Sequence, residues 1–253
     1  MERIKSLEKC IAILTCISRN PNNLSLEEIT KLTNLKKTTC FRLLKSMKDL
    51  GLIEMIFSTK RYTLGPKIIS LGLSGLSKLD LHKIALPFLK RLSEETGETV
   101  NLSILDGTDI LFIERIRSEY IFNINLKVGD RLPAIRTSQG KVILSYLSTK
   151  EINSIIKKIY KDLDSKEYDN VFGKLNEEFE MVRRIGFYYS DGELEKGLCG
   201  IAAPIFNHEK KVVAAINVAY GKARHDEETI VAHFSECVMK TSKEISEKLG
   251  FYL

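Results

Sequence analysis

The apolar residues change period at Gly97, and that change limits what this chain can fold into more than any other feature. Before it, outside the short stretch from Ile53 to Leu64, they recur every three or four residues, as in helices with one buried stripe; after it they alternate over Thr99 to Leu105 and Ile110 to Ile116, as in half-buried strands. A helical module followed by a mixed body is the simplest reading, and 253 residues suit two domains. With 43% hydrophobic and 28% charged residues, each part has a core to bury, which excludes a disordered chain. No uncharged apolar stretch approaches the roughly 18 residues that a spanning helix needs, and Met1-Glu2-Arg3 leads into an amphipathic segment rather than a signal peptide's apolar region. A cytoplasmic protein with no membrane partner is expected. Cys10, Cys16, Cys40, Cys199 and Cys237 form no C-x-x-C pair and sit among apolar neighbours, which reads as reduced, buried thiols. Neither a metal nor a cofactor is expected.

Charge is divided as sharply as period. Residues 1–78 hold 14 Lys+Arg against 6 Asp+Glu, a net +8, whereas the remainder holds 25 against 27, a net −2. A basic head on a near-neutral body suits a polyanion-binding module, provided the cations lie on one helix face.

In the head, Ile4, Leu7, Cys10, Ile11, Leu14 and Ile17 recur at steps of three and four and predict a first helix with that stripe buried. Asn20-Pro21-Asn22-Asn23 ends it. Ser25 and Glu28 are spaced as a capping box for a short helix over Leu26 to Thr33, with Ile29 and Leu32 as its buried positions. In the third helix Cys40, Leu43, Leu44 and Met47 fall at i, i+3, i+4 and i+7 and fix the buried face. At 100° per residue, Thr38, Arg42 and Lys45 then lie diametrically opposite, with Thr39 and Phe41 at the edges of that sector. Lys36 and Lys37 stand at the helix start, where free amides already attract anions. Two helices joined by a tight turn, the second with a cationic, hydroxyl-bearing face, form a helix-turn-helix whose second helix fits the major groove. Ile53 to Phe57 and Arg61 to Leu64 read as a hairpin with Lys60 and Arg61 at its tip, which would serve as a wing. Lys36, Lys37, Lys60 and Arg61 are therefore expected on phosphates, and Thr38, Thr39, Phe41, Arg42 and Lys45 toward the groove of double-stranded operator DNA.

The stretches Ser6 to Leu14, Leu26 to Leu50 with Lys37-Thr38-Thr39-Cys40-Phe41-Arg42-Leu43-Leu44, and Arg61-Tyr62-Thr63-Leu64-Gly65 resemble the IclR-type (isocitrate lyase regulator) winged helix-turn-helix transcriptional regulators. The resemblance covers nearly the whole chain. It departs at Lys36, where the family commonly has proline, and at Phe41, where it has histidine or tyrosine. It implies an α+β chain: a winged helix-turn-helix domain over 1–65, a linker helix over 66–79, and a GAF-like effector-binding domain with an antiparallel sheet over 80–253. It also implies a homodimer or homotetramer, with repression as the expected sign of control.

In the body, periodicity predicts helices at Leu81 to Thr96, Ser138 to Leu147, Glu151 to Tyr160, Val171 to Ile185 and Asp226 to Leu249. Strands are predicted at Thr99 to Leu105, Ile110 to Ile116, Ile121 to Leu126, Phe187 to Ser190, Leu198 to Phe206 and Val212 to Tyr220. Alternation places Gly200, Ala202, Ala215 and Ala219 on a sheet face with little bulk, and Asn217 supplies an amide there, which reads as a cavity floor. Thr137 can cap a helix whose first amides, at Ser138, Gln139 and Gly140, offer an anion site. The resemblance implies that a small organic acid or sugar-acid-like effector touches Ser138, Gln139, Gly140, Ser190, Asp191, Gly200, Asn217 and Ala219. The family often has an acid, a cysteine and serines where this chain has Ser190, Gly200, Asn217 and Ala219, so the founding member's effector is not expected here. Cys199, one residue out of register, should face the core.

Two other classes fit less of the chain. Ser138 and Lys141 match S-x-x-K of serine acyl-transferring enzymes, but Lys240-Thr241-Ser242, the nearest match to their strand motif, falls in a predicted helix. His82, His208, His225 and His233 lack metal-ligand spacing. A non-DNA-binding assembly protein leaves the Thr38/Arg42/Lys45 face without a purpose.

Overall fold

The computed structural model describes residues 4–78, 80–118, 126–161 and 164–251. The chain divides into two compact units, Met1–Leu79 and Asp80–Leu253.

The first unit runs α1 (Lys5–Arg19), α2 (Leu26–Thr33), α3 (Lys37–Asp49), a hairpin of β1 (Ile53–Ile56) and β2 (Arg61–Leu64), and α4 (Pro66–Lys78). The capping box forms as its spacing requires: the Glu28 amide donates to Ser25 Oγ (3.3 Å) and the Ser25 amide donates to Glu28 Oε2 (2.7 Å). Asn34, left-handed at φ 53°, ends α2 and turns the chain toward α3. The core gathers Ile13 and Ile17 of α1, Ile29 of α2, Cys40, Leu44 and Met47 of α3, and Ile53 and Tyr62 of the hairpin. Leu24 pairs with Tyr62 and ties the segment before α2 to β2. Gly65 lets two backbones meet, since a Cβ there would lie 2.4 Å from the Gly51 carbonyl oxygen.

Two burial expectations are corrected in this unit. The α1 stripe turned inward is Ile13 and Ile17, with Cys10, Leu14 and Cys16 partly covered, while Ile4, Leu7 and Ile11 are exposed. Helix α1 is apolar on two sides, and at 100° per residue Ile4 and Ile11 lie on the far side from Ile13. Leu32 is also exposed, at 59%, leaving Ile29 as the buried residue of α2.

The second unit runs α5 (Asp80–Thr96), β3 (Thr99–Asp106), β4 (Asp109–Ile116), β5 (Arg131–Pro133), α6 (Ser138–Ser145), α7 (Thr149–Ile159), α8 (Ser165–Ile185), β6 (Tyr188–Asp191), β7 (Leu198–Phe206), β8 (Val212–Gly221) and α9 (Glu227–Lys248). The strands form one antiparallel sheet in the order β5-β4-β3-β8-β7-β6. The edge strand β5 is additional to the sequence expectation. Of the strand expected over Ile121 to Leu126, residues 121–125 lie outside the described residues, and Leu126 is not in a strand.

Register decides which side chains share a face. Thr99 and Gly200 both pair with Ala219, Asn101 and Ala202 with Asn217, and Ser103 and Pro204 with Ala215. Directly paired residues point to the same side, so one face carries this small and polar set. The other carries Val100, Leu102, Ile201, Ala203, Ile205, Ile216 and Val218, all buried. Helices α5 and α9 cover the bulky face, where the Tyr220 ring meets Phe234 of α9 at 5.3 Å. The small face receives α6, whose eight residues are all buried, backed by α8. Cys199 shares the bulky face with its partner Tyr220 and is buried there.

Candidate functional site

Two sites follow from these units. In the first, burial of Cys40, Leu44 and Met47 rotates α3 so that Thr38, Arg42 and Lys45 are exposed on its opposite side. Phe41 is 53% exposed beside them and Thr39 is half-buried. Lys36 is the N-cap of α3 and makes no side-chain cap bond. Lys37 reaches back to Glu27 of α2 at 2.8 Å across solvent. Ser6 and Lys9 of α1 join Thr39, Arg42, Leu43 and Ser46 of α3 in lining a shallow groove. Lys9 thus adds a cation beside Arg42 that the sequence reading missed, because its period marked only the apolar side of α1.

At the hairpin tip Lys60 adopts a left-handed backbone (φ 56°), and its ammonium lies 5.7 Å from the centre of the exposed Phe57 ring. Arg61, expected on phosphate, points elsewhere. Its guanidinium donates to the Asn23 carbonyl (2.7 Å) and to Glu28 Oε1 (3.2 Å), which fastens β2 to the start of α2. Glu28 is held below the usual carboxylate range, first by the Ser25 amide and hydroxyl and then by Arg61.

The second site is a cavity of about 620 Å³, its open mouth included, above the small face of the sheet. Ser138, Gln139, Ser190, Gly200, Asn217 and Ala219 line it together. Thr137 caps α6 by accepting the Gly140 amide (3.1 Å), which leaves the start of that helix facing the cavity. A Cβ on Gly200 would lie 2.9 Å from Ser138 Oγ, so glycine lets α6 approach the floor. Gly140 and Asp191 do not line it. A Cβ on Gly140 would fall 2.1 Å from the Ala134 carbonyl oxygen, so this glycine serves the contact of α6 with the turn before it. Asp191 is exposed and paired with Lys222, which holds its carboxyl below the ordinary range.

Sequence reasoning missed several lining residues. Arg115, Asn101 and Thr99 enter from β4 and β3, and Phe112, Leu126, Leu132, Leu194 and Leu198 surround the opening. Arg115 Nη1 donates to Asn101 Oδ1 (3.0 Å), Asn101 Nδ2 donates to Asn217 Oδ1 (2.8 Å), and Asn217 Nδ2 faces Ser138 Oγ at 3.5 Å. Burial pulls the Arg115 guanidinium down from its ordinary value, helped by Arg117 and opposed by Asp130. Arg136 also lines the cavity and donates to the carbonyls of Glu193 and Leu194, holding the loop between β6 and β7 against the mouth.

Behind the wall, the Lys141 ammonium sits 2.8 Å from Glu178, 2.5 Å from Glu193 and 2.7 Å from the Tyr188 hydroxyl. That engagement draws Lys141 away from the S-x-x-K role. Lys240, Thr241 and Ser242 lie within α9, so the described residues do not assemble the acyl-transfer set. No group of three or more potential metal ligands occurs among the described residues, and no described helix is long and apolar enough to cross a membrane.

Comparison with known proteins gives two family matches, one in each part of the chain. Residues 6–55 match the family described as IclR helix-turn-helix domain, and residues 73–247 match the one described as Bacterial transcriptional regulator IclR C-terminal. The chain is 31% identical over 249 residues to the HTH-type transcriptional regulator KipR of Bacillus subtilis (strain 168), covering 98% of each. It is 29% identical over 257 residues to the HTH-type transcriptional regulator XynR of Escherichia coli (strain K12), covering 99% of each. Among solved structures it resembles the Thermotoga maritima IclR, with a TM-score of 0.74 at 26% identity over 98% of this chain and 100% of that one.

Proposed function

The chain belongs to the IclR family of bacterial transcriptional regulators and is a DNA-binding regulator of transcription; from that premise we propose that it represses from an operator which a small organic acid or sugar-acid-like metabolite makes it release. The observation that carries the DNA half is the exposure of Thr38, Arg42 and Lys45 on the side of α3 opposite its buried stripe. In this reading Thr38, Thr39, Arg42 and Lys45 face base edges, with Phe41 beside them, while Lys36, Lys37 and Lys60 hold phosphates. Arg61 keeps the wing seated on α2 instead.

The effector half is supported by the cavity and by Ser138, Gln139, Ser190, Gly200, Asn217 and Ala219 at its wall and floor. Assembly into a homodimer or homotetramer is supported by apolar side chains left exposed in the first unit: Ile4, Leu7 and Ile11 on α1, and Ile69 and Leu71 on α4. The testing experiment is a gel shift of the purified full-length protein on its own upstream region against a scrambled duplex in moderate salt, with and without metabolites. Preference for the upstream duplex, weakened by a metabolite, is the expected result. Equal binding to both duplexes overturns the reading.

A further inference from the structure

We infer that Arg115 is the specificity-determining residue of the cavity and that it selects a monocarboxylate with an apolar body; this rests on the cavity being the effector site. A guanidinium only donates hydrogen bonds, so the atom of Asn101 that faces Arg115 at 3.0 Å must be the amide oxygen. The amide nitrogen of Asn101 then points at Asn217 and meets its oxygen at 2.8 Å. That in turn aims the Asn217 nitrogen at the Ser138 oxygen. One cation thereby fixes the direction of a polar row across the floor.

Both floor amide oxygens accept a bond in that row, which leaves donors over on the floor: the remaining N–H groups of Arg115, the second amide N–H of each asparagine and the Ser138 hydroxyl proton. Asn101 and Ser138 are 2% and 3% exposed, so little of this row touches bulk water. Among the described residues lining the cavity two are arginines and none is acidic. Arg136 is spent on the carbonyls of Glu193 and Leu194, whereas Arg115 Nε is buried without a hydrogen-bond partner and, although the Asp130 charge acts on it, no described carboxylate lies within ion-pair distance. A buried donor left open beside an unpaired cation is costly unless an anion fills it. Beside the polar side chains of Thr99, Gln139 and Ser190, the cavity is lined by Phe112, Leu126, Leu132, Leu194 and Leu198, against which the apolar body of such a ligand can lie.

The test uses full-length protein, with calorimetric and thermal-shift titration of acetate, butyrate and benzoate against acetamide, butyramide and benzamide, which keep the shape and drop the charge. At least one acid should bind while its amide does not. Arg115→Gln should weaken that acid about tenfold to a hundredfold, the range for losing a charge-assisted hydrogen bond, and Arg115→Lys should weaken it less. An unchanged melting temperature of ligand-free Arg115→Gln shows that the variant folds; should it drop, Arg115→Lys carries the comparison. If Ala219→Phe blocks the acid and Arg115→Gln binds it like the parent, the cavity stands and the role of Arg115 is overturned. Binding unaffected by Ala219→Phe overturns the cavity reading itself. Equal binding of acid and amide, or binding of none of the acids, also contradicts the proposal.

Discussion

The ammonium of Lys141 on α6 lies 2.5 Å from the carboxylate of Glu193 in the loop between β6 and β7. Glu178 of α8 and the Tyr188 hydroxyl complete the cluster, so one buried lysine joins three elements behind the cavity wall. Lys141→Met keeps the length of the side chain and strands two carboxylates. Breaking a fully buried pair costs about 3–5 kcal/mol, but Glu178 and Glu193 reach water in part, so about 2–3 kcal/mol is expected here. Urea unfolding measures it; an unchanged midpoint contradicts this account of the cluster.

The same cluster sets a pH response. Burial, then the hydrogen bond to Glu193 and the nearby carboxylate charges, push the Tyr188 phenol above its ordinary value. Unfolded tyrosine loses its proton near pH 10 while the folded one keeps it, so above that pH the unfolded state binds fewer protons and stability falls as pH rises. The Cys237 thiol, pushed up to about 11 by burial and Glu95, acts with the same sign. Tyr188→Phe should therefore flatten the decline in melting temperature above about pH 10. The slope is the readout, and identical slopes in parent and variant argue against a buried phenol as its source.

Adjacent cations at the wing should behave differently. Lys60→Ala should reduce the slope of log affinity against log salt by about one unit, with little effect on stability, as removal of a phosphate contact does. Arg61→Ala should lower the stability of the first unit, because its guanidinium joins β2 to Asn23 and Glu28, and should leave the salt slope nearly unchanged. Salt-dependent binding together with thermal melts separates the two. A one-unit change of slope for Arg61→Ala returns it to the phosphates.

Much of this architecture can be read from the residues because local and tertiary signals agree. The Ser25 cap and the Ile29 position specify α2 to its ends, and alternation specifies β7. The floor of Gly200, Asn217 and Ala219 is legible for the same reason. Arg115 is not, because of a bulge. Asn101 pairs with Arg115, Leu102 with Glu114, and Ser103 with Phe112, which leaves Ile113 as an extra residue in β4. Phe112 and Arg115 therefore share the cavity side although strict alternation would separate them. β5 escaped because three residues ending in proline carry too little pattern to mark a strand, and the α1 stripe because that helix has two apolar sides.

The most direct test of the central claim, that the exposed side of α3 reads base sequence, compares the affinity of Arg42→Ala for the upstream duplex and for scrambled duplex at one salt concentration. The expected result is a loss of about 1–3 kcal/mol on the upstream site, with a much smaller loss on scrambled DNA. Equal losses on both would reduce Arg42 to a phosphate contact and contradict the claim.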